Sequence, residues 1–448
     1  MANETSSSDS SAQVVDVLIL GAGIAGLAAA RALSERDVRC VVLEARNRVG
    51  GRIHSLQLDT GVVELGAEFV HGKDPELWAL IEEAGAETFE REGAMLREDA
   101  DGKLSRDEDV AGGEFDALDH LVNLPEDMSF TDWLASSEIP AEHRIGLLGY
   151  VEGFNAADAK RISAQSLGVQ QKAEEAIDGE RVWHLHGGYS QLTTYLANRL
   201  RERRGRVQLE CVVQTVKWSP GAVVVETTNG VYRAQACIVT LPLGVLQATN
   251  REGGIKIEPE PAAVEQARRL AMGSAERFTL VFRERWWERS RLTSQAVLKA
   301  MSFLFTFRRS PPVWWTPHPE PEALAALTGW AGGPRAAEFV GRSEEELGAA
   351  ACRDLAGVFQ LSEQSVRDAL MATHRHDWQL DPFSRGAYSY VLVGALDAPA
   401  KMAQPEAGTL FFAGEHTDTT GNWGTVHAAL RTGLRAAEQV FNSITSSR

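Results

Sequence analysis

The sequence predicts an α/β (mixed α+β) fold: a Rossmann-like domain assembled from separated stretches of chain, with a second domain of mixed sheet and helices inserted between them. Three observations predict it. The apolar run Val14–Leu20 leads directly into a glycine turn and an alanine-rich helix. A second apolar run, Cys40–Leu43, ends in an acid, Glu44. Segments of nucleotide-binding character stand near both ends of the chain and again in its middle, so one domain is built from three pieces. At 448 residues the chain also exceeds what one hydrophobic core usually supports, which favours two domains.

Gly21, Gly23 and Gly26 spell G-x-G-x-x-G between strand and helix, the context in which that motif carries meaning. Gly21 permits the tight turn, Gly23 lets a pyrophosphate approach the backbone, and Gly26 lets the helix pack against the sheet. The helix N-terminus then offers free N–H groups and positive dipole to phosphates. Glu44 stands where a carboxylate accepts hydrogen bonds from both hydroxyls of an adenosine ribose and repels a 2′-phosphate. A glycine turn in an ordinary α/β unit explains the glycines alone, but not strand, helix and acid in register. The run from Glu44 continues through Ala45, Arg46, Gly50 and Gly51 to Arg52. Paired glycines again allow close backbone approach, and Arg46 and Arg52 supply charge for phosphates; a solvated basic turn is the bland alternative. A nicotinamide enzyme has no need of this second phosphate-facing loop. The expected dinucleotide is therefore FAD, in a domain of the glutathione-reductase type.

Along the chain, Ser-rich residues 1–13 read as a disordered tail. Residues 14–82 hold the first βαβ unit and the segment Gly61–Gly72, with Gly66, Ala67, Glu68 and His71. Residues 91–127 are acidic and poorly periodic, and read as an exposed excursion. Residues 130–178 read as helical, and another helix follows Gly187-Gly188. Val207–Thr215, Ala222–Thr227 and Val231–Thr240 read as strands, with Asn229-Gly230 as a hairpin turn. Phe278–Phe282 is a further strand, Ser310–Pro321 a rigid Pro-rich loop, Leu410–Glu415 a closing strand and Val426–Phe441 a final helix. The FAD-binding domain is thus expected over 14–82, 183–255 and 404–448, and the substrate-binding domain over 83–182 and 256–403.

Composition narrows the class. Hydrophobic content of 44% and charged content of 24% are those of a soluble globular enzyme. A formal charge of −17 argues against a nucleic-acid surface. Cys40, Cys211, Cys237 and Cys352 are scattered, without metal or disulfide spacing, and read as core thiols of a reducing, cytoplasmic compartment. The tail lacks the basic region of a signal peptide. No stretch of about 20 apolar residues suggests a membrane span. A monomer or homodimer is expected.

Near the C-terminus, Leu410-Phe-Phe-Ala-Gly-Glu-His-Thr runs into Asn422-Trp-Gly-Thr-Val-His-Ala-Ala-Leu. The strand ends in Gly414-Glu415, and a helix starts at Thr425-Val426. That helix start suits a partial negative charge such as a flavin N1–C2=O, and Glu415 is placed to hold a ribityl or ribose hydroxyl. This stretch, Glu44–Arg52 and Leu241–Leu246 resemble the flavin-containing amine oxidases: monoamine oxidases, polyamine oxidases and histone lysine demethylases. The resemblance covers residues 14–72, about 183–250 and 370–445, and is weak over 85–180 and 288–370. It implies that hydride moves from the carbon next to nitrogen to flavin N5. The imine then hydrolyses to an aldehyde, and O₂ is reduced to H₂O₂. The substrate is a small-molecule amine. The flavin carries the hard chemistry, so the protein binds, orients and desolvates. A dry aromatic pocket keeps the amine neutral.

The resemblance also assigns residues. Strands around Val213 contact adenine through backbone atoms. Trp378 and Asp381–Tyr390 match the family's W-x-x-D-P segment, which places Tyr388 against the flavin with Trp378 nearby; a core aromatic is the alternative for Trp378 and more so for Tyr390. Ala387 stands where covalent members carry cysteine, so FAD is expected to be non-covalent. Thr425 replaces the second tyrosine of monoamine oxidases, a pattern nearer the polyamine oxidases and demethylases. No inserted coiled coil or histone-tail module is evident, which disfavours a demethylase. The family's lysine near N5 falls at Arg277, with Lys299 as a substitute; arginine keeps the charge but is no base, and an ion pair with Glu276 or another carboxylate is the alternative. His71 matches the I-H-G segment of polyamine oxidases, where the histidine lies near the flavin; a hydrogen-bonded structural role is equally open. His184 and His186 are expected beside the Gly187 turn and His427 at the last helix start. Trp314, Trp315 and Trp330 line a substrate funnel or belong to the core. A polyamine or other secondary amine is the favoured substrate. The alternatives are a flavin desaturase or dehydrogenase of the carotenoid desaturase or protoporphyrinogen oxidase type, and a flavin-binding interaction protein with impaired chemistry.

Overall fold

The computed structural model describes residues 13–99, 101–106, 116–203, 205–248, 253–306, 308–317 and 324–446; residues 1–12 of the expected tail lie outside them. Four apolar runs, Val17–Leu20, Cys40–Leu43, Ala236–Val239 and Leu410–Phe412, are strands buried along their whole length. Such runs suit a parallel sheet covered on both faces. With Arg206–Gln208 they form one, in the spatial order 206–208, 40–43, 17–20, 236–239, 410–412. Alternation splits each strand between two cores. Val17 and Ile19 join a cluster with Leu27, Leu192 and Val440. Leu18 and Leu20 join one with Val216, Val225 and Phe412 on the opposite face. The first face is covered by helices Ile24–Ser34, Ser190–Glu202 and Val426–Ser446. The other is covered by the antiparallel meander Val213–Ser219, Ala222–Thr227 and Gly230–Ala234.

A second, seven-stranded sheet runs in the order 370–375, 275–282, 326–332, 313–315, 301–305, 94–98, 104–106. Its strand Ala275–Phe282 is buried throughout, and helices Glu344–Phe359 and Glu363–Ala369 close one face over Phe278, Leu280 and Leu327. Helices Phe130–Ser136, Ala141–Phe154 and Ala164–Glu175 share a further core with Leu121, Ile162 and Tyr390. The mixed α/β class is as expected. All four cysteines are buried and free. Among the described residues, no helix is long and apolar enough to cross a membrane.

Several elements differ from their sequence reading. The run Val207–Thr215 is two strands, Arg206–Gln208 in the parallel sheet and Val213–Ser219 in the meander. The break carries Glu210 at φ 53°, a left-handed turn that apolar patterning does not reveal. Likewise Val231–Thr240 changes sheets between Gly230–Ala234 and Ala236–Val239. The exposed excursion supplies two strands, Ala94–Glu98 and Leu104–Arg106, at the edge of the seven-stranded sheet. The Pro-rich loop contains the strand Val313–Trp315. Pro311 and Pro312 stand before the strand and Pro317 after it, where the missing N–H costs no ladder bond, and Trp314 and Trp315 are drawn in by burial.

Candidate active site

The described parallel strands stop at one cavity. Gly21, Glu44, Thr240 and Gly414 follow the C-terminal ends of four of them and line a space of about 800 Å³. The crevice beyond the carboxyl ends of parallel strands is where α/β sheets bind ligands. Gly21 has φ 103°, and its N–H donates to the Leu43 carbonyl at 2.8 Å, tying the turn to the neighbouring strand. Gly23 caps the helix Ile24–Ser34 with extended backbone and no side-chain partner. Nothing lies within 4 Å of the place a Cβ would occupy there. That combination of open cradle and unspent N–H groups suits a pyrophosphate. Gly26 is the one expected cofactor residue that does not line the cavity. A Cβ on it would come within 2.0 Å of the Gly21 carbonyl oxygen, so its role is close packing of turn and helix.

Glu44 is buried and oriented from both sides. Its Oε2 accepts the Ala22 N–H at 2.7 Å and its Oε1 the Arg46 N–H at 2.9 Å. Each oxygen keeps a further acceptor site for a ribose hydroxyl. Ala45 and Val213 line the cavity beside it, as do Gly51, Gly66, Ala67 and Glu68. The two arginines border the same space with carboxylate partners. Arg46 donates to Asp381 at 2.8 Å and to Ser384 at 3.0 Å. Arg52 donates to Glu415 at 2.8 Å and to the Ala387 carbonyl at 2.7 Å. Glu415 accepts from Ser389 Oγ at 2.5 Å and from the Gly424 N–H at 3.1 Å as well. Burial pushes its carboxyl up, but Arg52, His416 and Ser389 outweigh it and hold it below the usual carboxylate range. Thr425 and Val426 line the cavity where the last helix begins.

The third part of the cavity is aromatic. Trp378 is 5% exposed, and its indole N–H donates to the Leu65 carbonyl at 2.8 Å. Tyr388 donates its hydroxyl to the Phe154 carbonyl at 2.6 Å, and Gly424 packs so near its ring that a Cβ would stand 2.9 Å away. His71 faces the cavity edge-on to Phe154, with centroids 5.7 Å apart. Burial, with His427 adding, lowers it to about 4, so it is neutral at ordinary pH. Trp315 and Trp330 border the cavity, whereas Trp314 packs into the core against Phe278. Tyr390 both borders the cavity and packs in the helical core. His427 also lines the cavity. His186 lies against Phe89, with centroids 4.6 Å apart.

Arg277 lines the cavity and pairs with Glu68 at 2.6 Å, rather than with Glu276, whose partner is Arg375. Its other terminal nitrogen donates to the Gly66 carbonyl at 2.7 Å, while its Nε has no partner. Glu68 also accepts from the Trp315 indole at 3.1 and 3.2 Å and lies 3.5 Å from His184 Nδ1. Burial raises the Glu68 carboxyl, but Arg277, His184 and Arg91 together bring it below the ordinary value. Lys299 is exposed at the end of helix Gln295–Lys299 and does not line the cavity. The partnership of Glu68, His184 and Arg91 was not foreseen, and neither were Tyr150, Phe154 and Glu174, which line the cavity from two helices. The one local signal at Glu174 is the four-residue spacing to Gln170.

The cradle at Gly23, the doubly oriented Glu44 and the aromatic walls fit FAD. The comparisons agree. The profile of flavin containing amine oxidoreductases matches residues 24–146 and 124–441. Protein FLOWERING LOCUS D of Arabidopsis thaliana is 28% identical over 457 residues, 95% of this chain and 55% of that protein. Polyamine oxidase 2 of Arabidopsis thaliana is 29% identical over 462 residues, 94% of this chain and 87% of that protein. The chain therefore spans little more than half of the first relative and most of the second. Among solved structures, putrescine oxidase bound to putrescine superposes with a TM-score of 0.80 at 22% identity, covering 96% of this chain and 100% of that one. Cyclohexylamine oxidase from Brevibacterium oxydans IH-35A gives 0.78 at 22% identity, covering 97% and 100%. At these identities the structures show a shared fold.

Proposed function

Since the chain belongs to the flavin-containing amine oxidoreductase family, we propose that it oxidises a polyamine or other secondary amine. Products are an imine that hydrolyses to an aldehyde and, from O₂, H₂O₂. The observation that carries this reading is one continuous cavity that joins the Glu44 end to a wall of Trp378, Tyr388 and neutral His71. FAD, when bound, supplies the hydride acceptor. Glu44 holds the ribose, and the N-terminus of Ile24–Ser34 faces the pyrophosphate. Trp378 and Tyr388 orient the amine, their positions fixed by hydrogen bonds to Leu65 and Phe154. Their rings exclude water, which disfavours the ammonium and keeps the nitrogen lone pair available. Ala387 before Tyr388 offers no thiol, in keeping with non-covalent FAD. Anaerobic bleaching of the yellow holoprotein by an amine, followed by H₂O₂ release on admitting air, tests the reading. Failure of every amine in a broad panel to bleach it overturns it.

One observation favours a second reading, a dehydrogenase that passes electrons to a carrier. Arg277 stands where the resemblance expects a lysine, and its charge is matched by Glu68. Reoxidation by O₂ in stopped flow separates the two: an oxidase reoxidises in seconds or less, and a dehydrogenase needs a quinone or other acceptor.

A further inference from the structure

We propose that Glu174 recognises a second, protonated nitrogen of the substrate, so that the cavity selects α,ω-diamines and longer polyamines over monoamines. The inference rests on the amine-oxidase reading above. An aromatic wall connects the two ends. Tyr388 is tied through its hydroxyl to the backbone of Phe154. The Phe154 ring stacks on Tyr150 with centroids 5.3 Å apart and planes 9° apart. All three line the same cavity as Gln170 and Glu174. Glu174 comes from the last turn of helix Ala164–Glu175. A polymethylene chain laid along these rings buries its apolar surface and carries its far end toward Glu174.

The carboxylate at that end lacks a cation. Its hydrogen-bond partner is the neutral Gln170 amide, one turn earlier, at 3.0 Å. No Lys, Arg or His among the described residues pairs with it, whereas Glu68 and Glu415 in the same cavity are matched by Arg277 and Arg52. The ionisable groups that face it are Tyr150 and Glu180, neither of them basic. Burial pushes the Glu174 carboxyl up to about 7, Glu180 adds to the rise, and Gln170 opposes it. An i,i+4 Gln–Glu pair is worth only a few tenths of a kcal/mol and does not require such burial. An ammonium supplies the missing charge.

The test compares α,ω-diamines of increasing length with the matching monoamines, using anaerobic bleaching of the holoenzyme and calorimetric binding to its oxidised form. Wild-type enzyme is expected to favour the best diamine at least ten-fold and, near pH 7, to release a proton when the diamine binds. In Glu174→Gln the preference falls below three-fold and the proton release drops to the part that deprotonation of the reacting amine supplies, the same as for the matching monoamine. Glu174→Asp keeps the charge on a shorter arm, so the preferred diamine lengthens by one carbon; this variant carries the test should the glutamine variant not fold. Bleaching by amines with an unchanged diamine preference in both variants overturns the role of Glu174 alone. Bleaching by no amine of either kind overturns the oxidase reading, and calorimetry then judges Glu174 by itself.

Discussion

Replacing Arg277 with methionine isolates the energetics of the ion pair at the cavity wall. Arg277 and Glu68 have side chains 5% and 4% exposed and meet at 2.6 Å. Removing the cation leaves a buried carboxylate with the Trp315 indole, His184 and the more distant charge of Arg91 around it, but without its ion-pair partner. Breaking one side of a buried pair costs about 3–5 kcal/mol. With roughly 2.1 cal/mol/K of unfolding entropy per residue, a chain of this length loses about 1 kcal/mol per degree, so the melting temperature falls by about 3–5 °C if it unfolds as one unit. Glu68→Leu alone strands the guanidinium and costs a similar amount. The double variant replaces the pair with packed apolar groups and is expected to recover most of the loss, giving a coupling of about 2 kcal/mol or more. Thermal and denaturant unfolding of the four proteins, each loaded with FAD, measures the cycle. Additive losses, or an Arg277→Met variant within about 0.5 kcal/mol of wild type, refute the view that this pair is closed to solvent and mutually dependent.

Three further outcomes are expected. Trp378→Ala and Tyr388→Phe retain FAD but turn over more slowly, the latter by roughly five-fold for the loss of one hydrogen bond of about 1 kcal/mol; unchanged amine kinetics in both remove them from the site. Glu44→Ala weakens FAD retention by roughly 10- to 100-fold, from about 1.5–3 kcal/mol of charged hydrogen bonding, measured by flavin release on dilution; undiminished retention dissociates Glu44 from the ribose. His71 is lowered to about 4 in the fold against about 6.5 unfolded. Its contribution to stability is therefore complete above pH 6.5 and is lost as pH falls from 6.5 toward 4. His71→Gln flattens that part of the stability–pH curve, and an unaltered slope refutes the assignment.

Local signals were legible in the sequence, and long-range partnerships were not. The turn at Gly21 and the acid at Glu44 announce themselves because strand, turn and helix are contiguous and each residue type has one physical reason to be there. The closing segment from Gly414 to Val426 is readable on the same ground. Glu68 and Arg277 are each visible as residues, but their partnership depends on register between a loop and a strand 209 positions apart. The strand ending at Ala234 passes to a different sheet at Ala236, and an uninterrupted apolar run cannot encode that change because both sheets ask for the same side chains. Glu174 was hidden because a glutamate on a helix is ordinarily solvated; only the helices folding over the cavity leave it half-buried.

The nucleotide-side sheet is completed by Leu410–Phe412, and the first helix is covered by the last, with Gly433 so close that a Cβ would meet the Ala25 carbonyl oxygen at 2.1 Å. At ribosomal speeds the interval between synthesis of Ser34 and of Val426 is roughly 20–80 s. Throughout that time the nascent chain displays the apolar flank of its opening helix without its lid. The cavity wall that Glu415, Thr425 and Val426 supply is thus the last to be made, and the cavity cannot be complete until the C-terminal segment emerges.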